Sequence, residues 1–586
     1  MTFSTTSPKQ QPPRDRPIGW IIGALMLSML MGSLGQMIFS TALPTIVGSL
    51  GGVHHMSWVI TAFLLGQTIA MPLFGKLGDL MNRKPLFLFA NALFMAGSLL
   101  GGLAHSMPVL IAARAIQGVA GGASMVLSQA ITAEVTSARE RGKYMGLMGM
   151  VFGVSSVLGP VIGGWITDGP GWRWGLWFNL PIGAISITAI ALLLKLPSKK
   201  RDFHFDWWGA ITMALATTSL VLSVTWGGHD YAWTDPVIIG LLLCTLLLVV
   251  LLIFIELRVL EPIIPLTLFK NRNFVLTTGA GLSVGVIMFG SMAYLPTYLQ
   301  MVHHMSPTRA GLTMISMMGG LIAASITVGN LVAKTGRYKV FPLAGQIVTS
   351  IALVLMGSLA FDDSLVRVCC YLCAFGIGIG STMQILVLIV QNSFPLSVVG
   401  TATGANNFFR QVGGTIGAAL IGSIFLGNLG RQMSMHLPPA VEHVVRLGGE
   451  PGQFHIAESS GNLTPASVAA LPDIIKNAIA VSYNDALTPV FLLLAPISLI
   501  AVALLSLIKE RSSLRQSRQQ CPNLSPSRFI PPLQKAAPTT ECSLFIVLAE
   551  VECSGSMIIY FRLGKQLFPN VGVTPLSRHF TICHFC

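Results

Sequence analysis

The chain has 586 residues, of which 53% are hydrophobic and only 10% charged, with a mean hydropathy of +0.71. A soluble fold of that size would leave too much apolar surface in water, so the composition excludes one and points to a polypeptide that crosses a bilayer many times. The net charge of +14 does not point to nucleic acid, because Lys and Arg sit in short loops at alternate ends of apolar runs rather than along one stripe.

After a polar N-terminus (1–17) bearing Arg14 and Arg16, apolar runs recur near 18–43, 56–75, 85–105, 108–132, 144–167, 175–195, 207–227 and 237–256. Six more follow near 274–302, 309–333, 340–361, 366–392, 404–427 and 486–508. At about 20 residues per span, the pattern predicts about 14 transmembrane helices, an all-α polytopic membrane protein. The first run is too long for the apolar part of a cleavable signal and is followed by further spans. Of the nine cysteines, Cys244, Cys369, Cys370 and Cys373 fall inside spans and read as small buried hydrophobes.

The loops give an orientation. Proposed inner loops carry Lys76/Arg83/Lys84, Arg139/Arg141/Lys143, Lys195/Lys199/Lys200/Arg201, Arg258/Lys270/Arg272, Lys334/Arg337/Lys339 and Lys509/Arg511, and only 393–399 is neutral. Outer loops hold His54, His55, His105, His229, His303 and His304 with Asp168, Asp230, Asp235, Asp362 and Asp363. Both termini are therefore expected in the cytoplasm. A long polar outer loop, 428–485, is expected as an irregular cap; its triplet Asn462-Leu-Thr464 is read as a chance match to a glycosylation site. The tail 512–586, with apolar patches at 544–549 and 557–561 and a single Cys583-His-Phe-Cys586, is expected to be a disordered or frame-disrupted extension. One such pair is a weak metal signal, and no metal site is predicted.

Between the second and third runs lies Gly75-Lys-Leu-Gly-Asp79-Leu-Met-Asn82-Arg83-Lys84, and 254 residues further on the frame returns as Gly329-Asn-Leu-Val-Ala333-Lys-Thr-Gly336-Arg337. Gly142, Gly146, Gly159 and Gly164 fall on Gly400, Gly404, Gly417 and Gly422 at an offset of 258, so the chain reads as a tandem duplication. The loop resembles the signature of the major facilitator superfamily, with Asn82 at a position usually glycine. Asn tolerates a left-handed backbone best among the other residues, which would preserve the turn. Eight runs separate the two loops where directly joined halves need six, so two helices are inserted, 207–227 and 237–256. That layout resembles the EmrB/QacA-type drug:proton antiporters from about Gly19 to Arg511. Further matching phrases are Leu43-Pro44, Trp172-Arg173-Trp174, Asn179-Leu-Pro181-Ile-Gly183 and Phe408-Phe-Arg410-Gln411. The resemblance implies the major facilitator fold: two six-helix bundles (18–200 and 261–511) plus the inserted pair (201–260).

Several residues are candidates for mechanism. Asp79 is placed to accept hydrogen bonds from a helix N-terminus of the other half, and Arg83 and Lys84 to pair with acids, contacts that would form in one conformation and break in another. In the fourth span Arg114, Gln117, Gly118 and Gly121 share one helical face. Arg114 is costly in hydrocarbon and must face protein or water. The segment resembles a superfamily motif implicated in proton transfer; packing alone is the other reading. The fifth span, with Gly146, Gly149, Gly153, Ser155, Gly159, Pro160, Gly163 and Gly164, resembles the antiporter motif, in which Pro160 would bend the helix and small residues would let helices approach. Its second-half counterpart has Ala418 at the proline position, so the bend belongs to one half. Gln36, Gln67, Tyr294, Tyr298, Gln384, Asn407 and Gln411, among Met and Phe, are candidate cavity residues.

One departure bears on the substrate. Where the resembling transporters carry a carboxylate in the first span, this chain has Gly35, and none of the 22 acids lies near a span centre. A cavity with Arg114 and no central acid is poorly suited to permanent cations; neutral or weakly acidic lipophiles fit better. The expected function is proton-coupled export of hydrophobic small molecules from a bacterial inner membrane. No cofactor is expected beyond the proton gradient, since no nucleotide-binding loop is present. Lipid and hydrophobic substrates are the expected partners, the resemblance leaves room for a periplasmic adaptor, and no nucleic acid is expected. An uncoupled facilitator or importer, a transport-incompetent membrane partner or sensor, and a membrane-embedded enzyme remain as alternatives; no intramembrane constellation favours the last.

Overall fold

The structure is a computed structural model that describes residues 18–50, 55–196, 204–228, 231–446, 468, 471–510, 549–553 and 556–560. The N-terminus 1–17, the triplet at 462–464 and the terminal Cys/His residues lie outside the described residues. Among the described residues, 14 helical stretches are long and apolar enough to cross a membrane. Within hydrocarbon a chain must satisfy its own backbone hydrogen bonds, and these runs, poor in charge, do so as helices.

The first six spans are α1 (Ile18–Leu50), α2 (Met56–Leu80), α3 (Arg83–Gly102), α4 (Met107–Val135), α5 (Arg141–Asp168) and the pair α6 (Arg173–Trp177) and α7 (Asn179–Leu193), broken at Phe178. Helix α1 runs seven residues past the expected end of its span, taking in Pro44. The inserted spans are α8 (Trp207–Trp226) and α9 (Pro236–Glu256). Asp206 accepts from the Gly209 amide at 2.8 Å and Asp235 from the Val237 amide at 2.8 Å, so each helix starts on an acid that satisfies a free N–H. Helix α9 is apolar all round and buries only Ile238 and Glu256, the pattern of a helix facing lipid.

The second set comprises α10 (Arg272–Met292) with α11 (Leu295–Val302), α12 (Pro307–Thr313) with α13 (Ile315–Thr335), α14 (Val340–Gly357), α15 (Leu365–Ser393), α16 (Val399–Arg446) and α17 (Asp473–Ser506). Helices α1 to α7 pack among themselves, as do α10 to α17, and the two groups meet where α2 lies along α16 and α5 along α13. Helix α8 rests on α2 and α16, and α9 packs on α8.

The segment 428–485, expected as an irregular outer cap, is helical at its two ends. Helix α16 continues to Arg446, and α17 begins at Asp473, well before the apolar run that marks its span. Leu429, Met433, Leu437 and Val444 are buried in one cluster with Ile475, Ile479 and Tyr483, so an apolar stripe at helical spacing holds the two extensions. In the C-terminal tail, β1 (Ala549–Cys553) pairs antiparallel with β2 (Ser556–Tyr560), Ala549 opposite Tyr560 and Val551 opposite Ile558. Those ten residues are thus a two-stranded ribbon rather than disordered.

Candidate functional site

The two helix pairs that join the halves use the same positions of the repeat in exchanged roles. A Cβ at Gly75 on α2 would lie 2.6 Å from the Gly400 carbonyl oxygen and 3.2 Å from the Gly404 Cα on α16. A Cβ at Gly329 on α13 would lie 2.7 Å from the Gly142 carbonyl oxygen and 2.9 Å from the Gly146 Cα on α5. Gly75 and Gly329 correspond across the repeat, as do Gly142 with Gly400 and Gly146 with Gly404. At both seams glycine lets the backbones touch.

The signature loop closes one seam. The Asp79 carboxylate is buried and accepts from the Gly400 amide at 3.0 Å, the Thr401 amide at 2.7 Å and the Thr401 hydroxyl at 2.8 Å. The two amides are free N–H groups at the start of α16, where a helix dipole favours an anion. Arg83, also buried, donates to Asp79 and to Glu134, each at 2.7 Å, and to the carbonyls of Gly78, Ala130 and Leu396 at 3.1–3.2 Å. Leu396 lies in the uncharged loop 393–399, which receives its positive charge from the other half. Lys84 pairs with no acid among the described residues; it donates to the Ala191 carbonyl at 2.7 Å. Lys76 pairs with Glu261 at 2.5 Å. Asn82 is extended, with φ −67°, whereas its repeat counterpart Gly336 is left-handed, with φ 69°. Only the second loop therefore makes a turn that calls for glycine.

At the other seam Ala333 stands where Asp79 does. There Arg139 donates to the carbonyls of Ala333 and Lys334 at 3.2 and 3.3 Å and Ser325 to the Gly146 carbonyl at 2.9 Å, while Arg141 reaches past α13 to Asn392 of α15 at 3.0 Å. Between the seams, Asn407 donates to the Gln129 side chain at 2.7 Å and Gln391 to its carbonyl at 3.1 Å. The end of the molecule with the basic loops is thus tied shut across the two halves.

Beyond that closure lies a cavity of only about 50 Å³, too small for a drug-sized molecule. Its walls come from both halves. The first half supplies Met29, Gln36, Gln67, Met125, Met148 and Phe152; the second supplies Met288, Phe289, Met383, Gln384, Arg410 and Gln411. Four expected cavity residues, Gln36, Gln67, Gln384 and Gln411, are among them. Three are not. Tyr294 donates to the Ala418 carbonyl at 3.3 Å, the buried Tyr298 to Asn484 at 3.1 Å, and Asn407 is held by Gln129, so each is spent on joining helices.

Arg114 is buried behind the cavity wall. Its guanidinium lies between the rings of Phe39 and Phe63, 4.2 and 4.3 Å from their centroids. It donates to the Gly35 carbonyl at 3.1 Å, to Gln117 at 3.0 Å and, at 3.4 Å, to the Val59 carbonyl. Gln117 in turn donates to Ser98 at 2.7 Å, and Gly118 lies so close to Phe63 that a Cβ would overlap its carbonyl. Gly35, at the position of the absent carboxylate, is therefore a direct neighbour of the arginine.

Along α5 the glycines differ. Gly146 abuts Ser325 and Gly159 abuts Met37, whereas a Cβ at Gly164 would meet nothing within 4 Å. Gly164 thus takes no part in close packing. Gly163 is buried and its carbonyl accepts from Thr167 at 2.5 Å, and Pro160 lies within the helix.

Arg410 was not singled out from sequence, although the signal that marks Arg114 applies to it: a charge eleven residues inside a helix of low charge. It is 4% exposed, and its Nη1 has no hydrogen-bond partner. Among the described residues, no group of His, Cys, Asp and Glu could hold a metal ion.

A family model described as Major Facilitator Superfamily matches residues 25–418. An uncharacterized MFS-type transporter of Mycobacterium tuberculosis is 36% identical over 490 residues, covering 84% of this chain and 69% of that protein. The Multidrug transporter protein MdtP of Bacillus subtilis is 35% identical over 422 residues, covering 72% of this chain and 78% of its own. Multidrug resistance protein 3 of the same organism is 31% identical over 514 residues, covering 87% and 98%. In fold, the crystal structure of the human organic anion transporter MFSD10 (TETRAN) is similar, with a TM-score of 0.55 at 16% identity, covering 84% of this chain and 100% of that one.

Proposed function

The chain belongs to the Major Facilitator Superfamily, a multi-pass membrane transporter family, and from that premise we propose that it exports hydrophobic small molecules in exchange for protons. The observation that carries this reading is the Asp79–Arg83 latch on the N-terminus of α16, which ties one end of the two halves across a cavity that both halves line. A tie made of a few charge-assisted bonds between rigid bundles can exist in one state and be absent in the other, which is the requirement for alternating access. The names of the relatives, a multidrug transporter and a multidrug resistance protein, support drug efflux. The basic loops favour an orientation with the latched end and both termini on the cytoplasmic side of a bacterial inner membrane, which would make this conformation the inward-closed one. The proton gradient would be the energy source, with an adaptor on the outer side as a further partner.

The substrates fit neutral or weakly acidic compounds better than permanent cations, because the cavity lining contains Arg410 and no carboxylate. A second reading, uncoupled facilitated transport, is favoured by Gly35, which leaves Arg114 without a titrating acid beside it. The test is proton release from inverted membrane vesicles holding a pH gradient, on addition of cationic, neutral and anionic lipophiles. Collapse of the gradient that depends on the compound and is lost in Arg114→Ala is the expected result. Substrate movement with no proton movement would replace antiport by the second reading.

A further inference from the structure

A cavity walled by Met and Phe explains why hydrophobic molecules enter, but not which polar group they carry. The buried arginines give a criterion. Arg83 has two carboxylates and three carbonyls; Arg114 has three acceptors and two aromatic faces. Arg410 faces the cavity with its Nη1 buried and unpartnered, and no salt bridge to it is found among the described residues.

Its position sharpens the contrast. Eleven residues into α16 correspond to about 16 Å at 1.5 Å per residue, close to half the depth of the hydrocarbon core. At the matching position of the first half, 258 residues earlier, stands Phe152, which lines the same cavity. The fold therefore accommodates an apolar ring at this register, and a cation there is not a packing requirement. Two glutamines that line the cavity, Gln67 and Gln384, also have side-chain oxygens with no donor. Turning either amide over would present its N–H groups to the cavity instead.

We infer that the cavity, once widened by the parting of the two halves, seats a lipophilic anion, with a carboxylate or similar planar oxyanion on the Arg410 guanidinium and the hydrocarbon body against the surrounding Met and Phe side chains. The guanidinium fork matches a carboxylate in two parallel hydrogen bonds, and the anion supplies the counter-charge that the protein does not. Met side chains adapt to bodies of different shape, so the charged head is fixed while the tail varies. The export reading gives only the direction of movement; the seat itself rests on the cavity.

The test uses full-length protein in proteoliposomes with three probes on one aryl-alkyl skeleton: the carboxylate, its methyl ester and a trimethylammonium analogue, at a pH where the acid is ionised. Wild-type protein is expected to bind the carboxylate at least tenfold more tightly than the ester, with the cation weakest. Arg410→Gln should abolish that preference while ester binding stays within twofold, which also shows that the variant is folded. Arg410→Lys, a point charge without the fork, should recover part of the preference. Ester or cation binding equal to the carboxylate in wild type overturns the seat without recourse to any variant, as does a preference that survives Arg410→Gln. Proton movement in the same vesicles separates the two readings. A carboxylate preference without proton exchange keeps the seat and removes antiport; proton exchange driven equally by all three probes keeps antiport and removes the seat.

Discussion

Two side chains show how one charge can be structural and another available. Asp79 is spoken for by three donors of α16 and by Arg83, so Asp79→Asn removes the charge that both the helix terminus and the arginine require. Breaking one partner of a buried pair costs about 3–5 kcal/mol. The expected outcome is a shift toward the unlatched state, seen as faster thiol labelling of a cysteine introduced near Gln129, together with at least a tenfold loss of transport. Unchanged labelling would show that the latch does not set the conformation. Gly35 offers the opposite experiment. A Cβ there meets the tip of the Phe94 ring at 3.2 Å and, in ordinary contact, the Asn179 amide nitrogen at 3.9 Å, so Gly35→Asp fits after a small movement of that ring and brings an acid next to Arg114. Transport by this variant is expected to acquire a pH dependence in the carboxylate range that wild type lacks, measured as initial rates across pH 4–8 on the scale of ordinary carboxylates.

At the scale of the helices, the small-residue positions divide by what a side chain would strike. Gly146→Ala forces α5 off α13 at Ser325, whereas Gly164→Ala enters open space. The first is expected to lower transport at least tenfold and the second to leave it within twofold, in the same vesicle assay. Both glycines belong to the motif read from sequence, and nothing in the residues alone separates them, because the difference lies in what the neighbouring helix brings to each. The latch was legible for a physical reason: an acid between two spans has few stable places to go, and a helix N-terminus is one. Arg410 was hidden by its setting in Phe408-Phe-Arg410-Gln411, where a family phrase drew attention from the charge. The extension of α16 past its span was legible too, in Leu429, Met433 and Leu437 at four-residue spacing, but the polar residues between them suggest a loop. Met433→Ala should cost about 2–5 kcal/mol if the extension is packed as described, read as a lower unfolding temperature in detergent.

For the molecule as a whole, the turn after α11 carries a pH response in stability. His303, just past α11, is held below the ordinary histidine range, first by burial, then by His304, with Asp363 opposing. Its Nε2 is buried without a partner, and its ring meets Tyr298 edge-on at 5.9 Å. A depressed histidine leaves the fold at full strength above the unfolded value near 6.5 and weakens it as pH falls from there toward the folded value. The unfolding temperature of wild type should therefore drop between pH 7.5 and 5, and His303→Gln should flatten that drop. The two seams, finally, do not share their load equally. Their glycines match pair for pair, but α2 and α16 are held by a carboxylate on a helix terminus, while among the described residues α5 and α13 are joined by neutral acceptors, the Ala333 and Lys334 carbonyls for Arg139 and the Gly146 carbonyl for Ser325. A joint fastened on one edge and merely fitted on the other parts at the fitted edge first. The passage to the basic end would then begin as a slit along α5 and α13, wide enough for water before it admits anything larger.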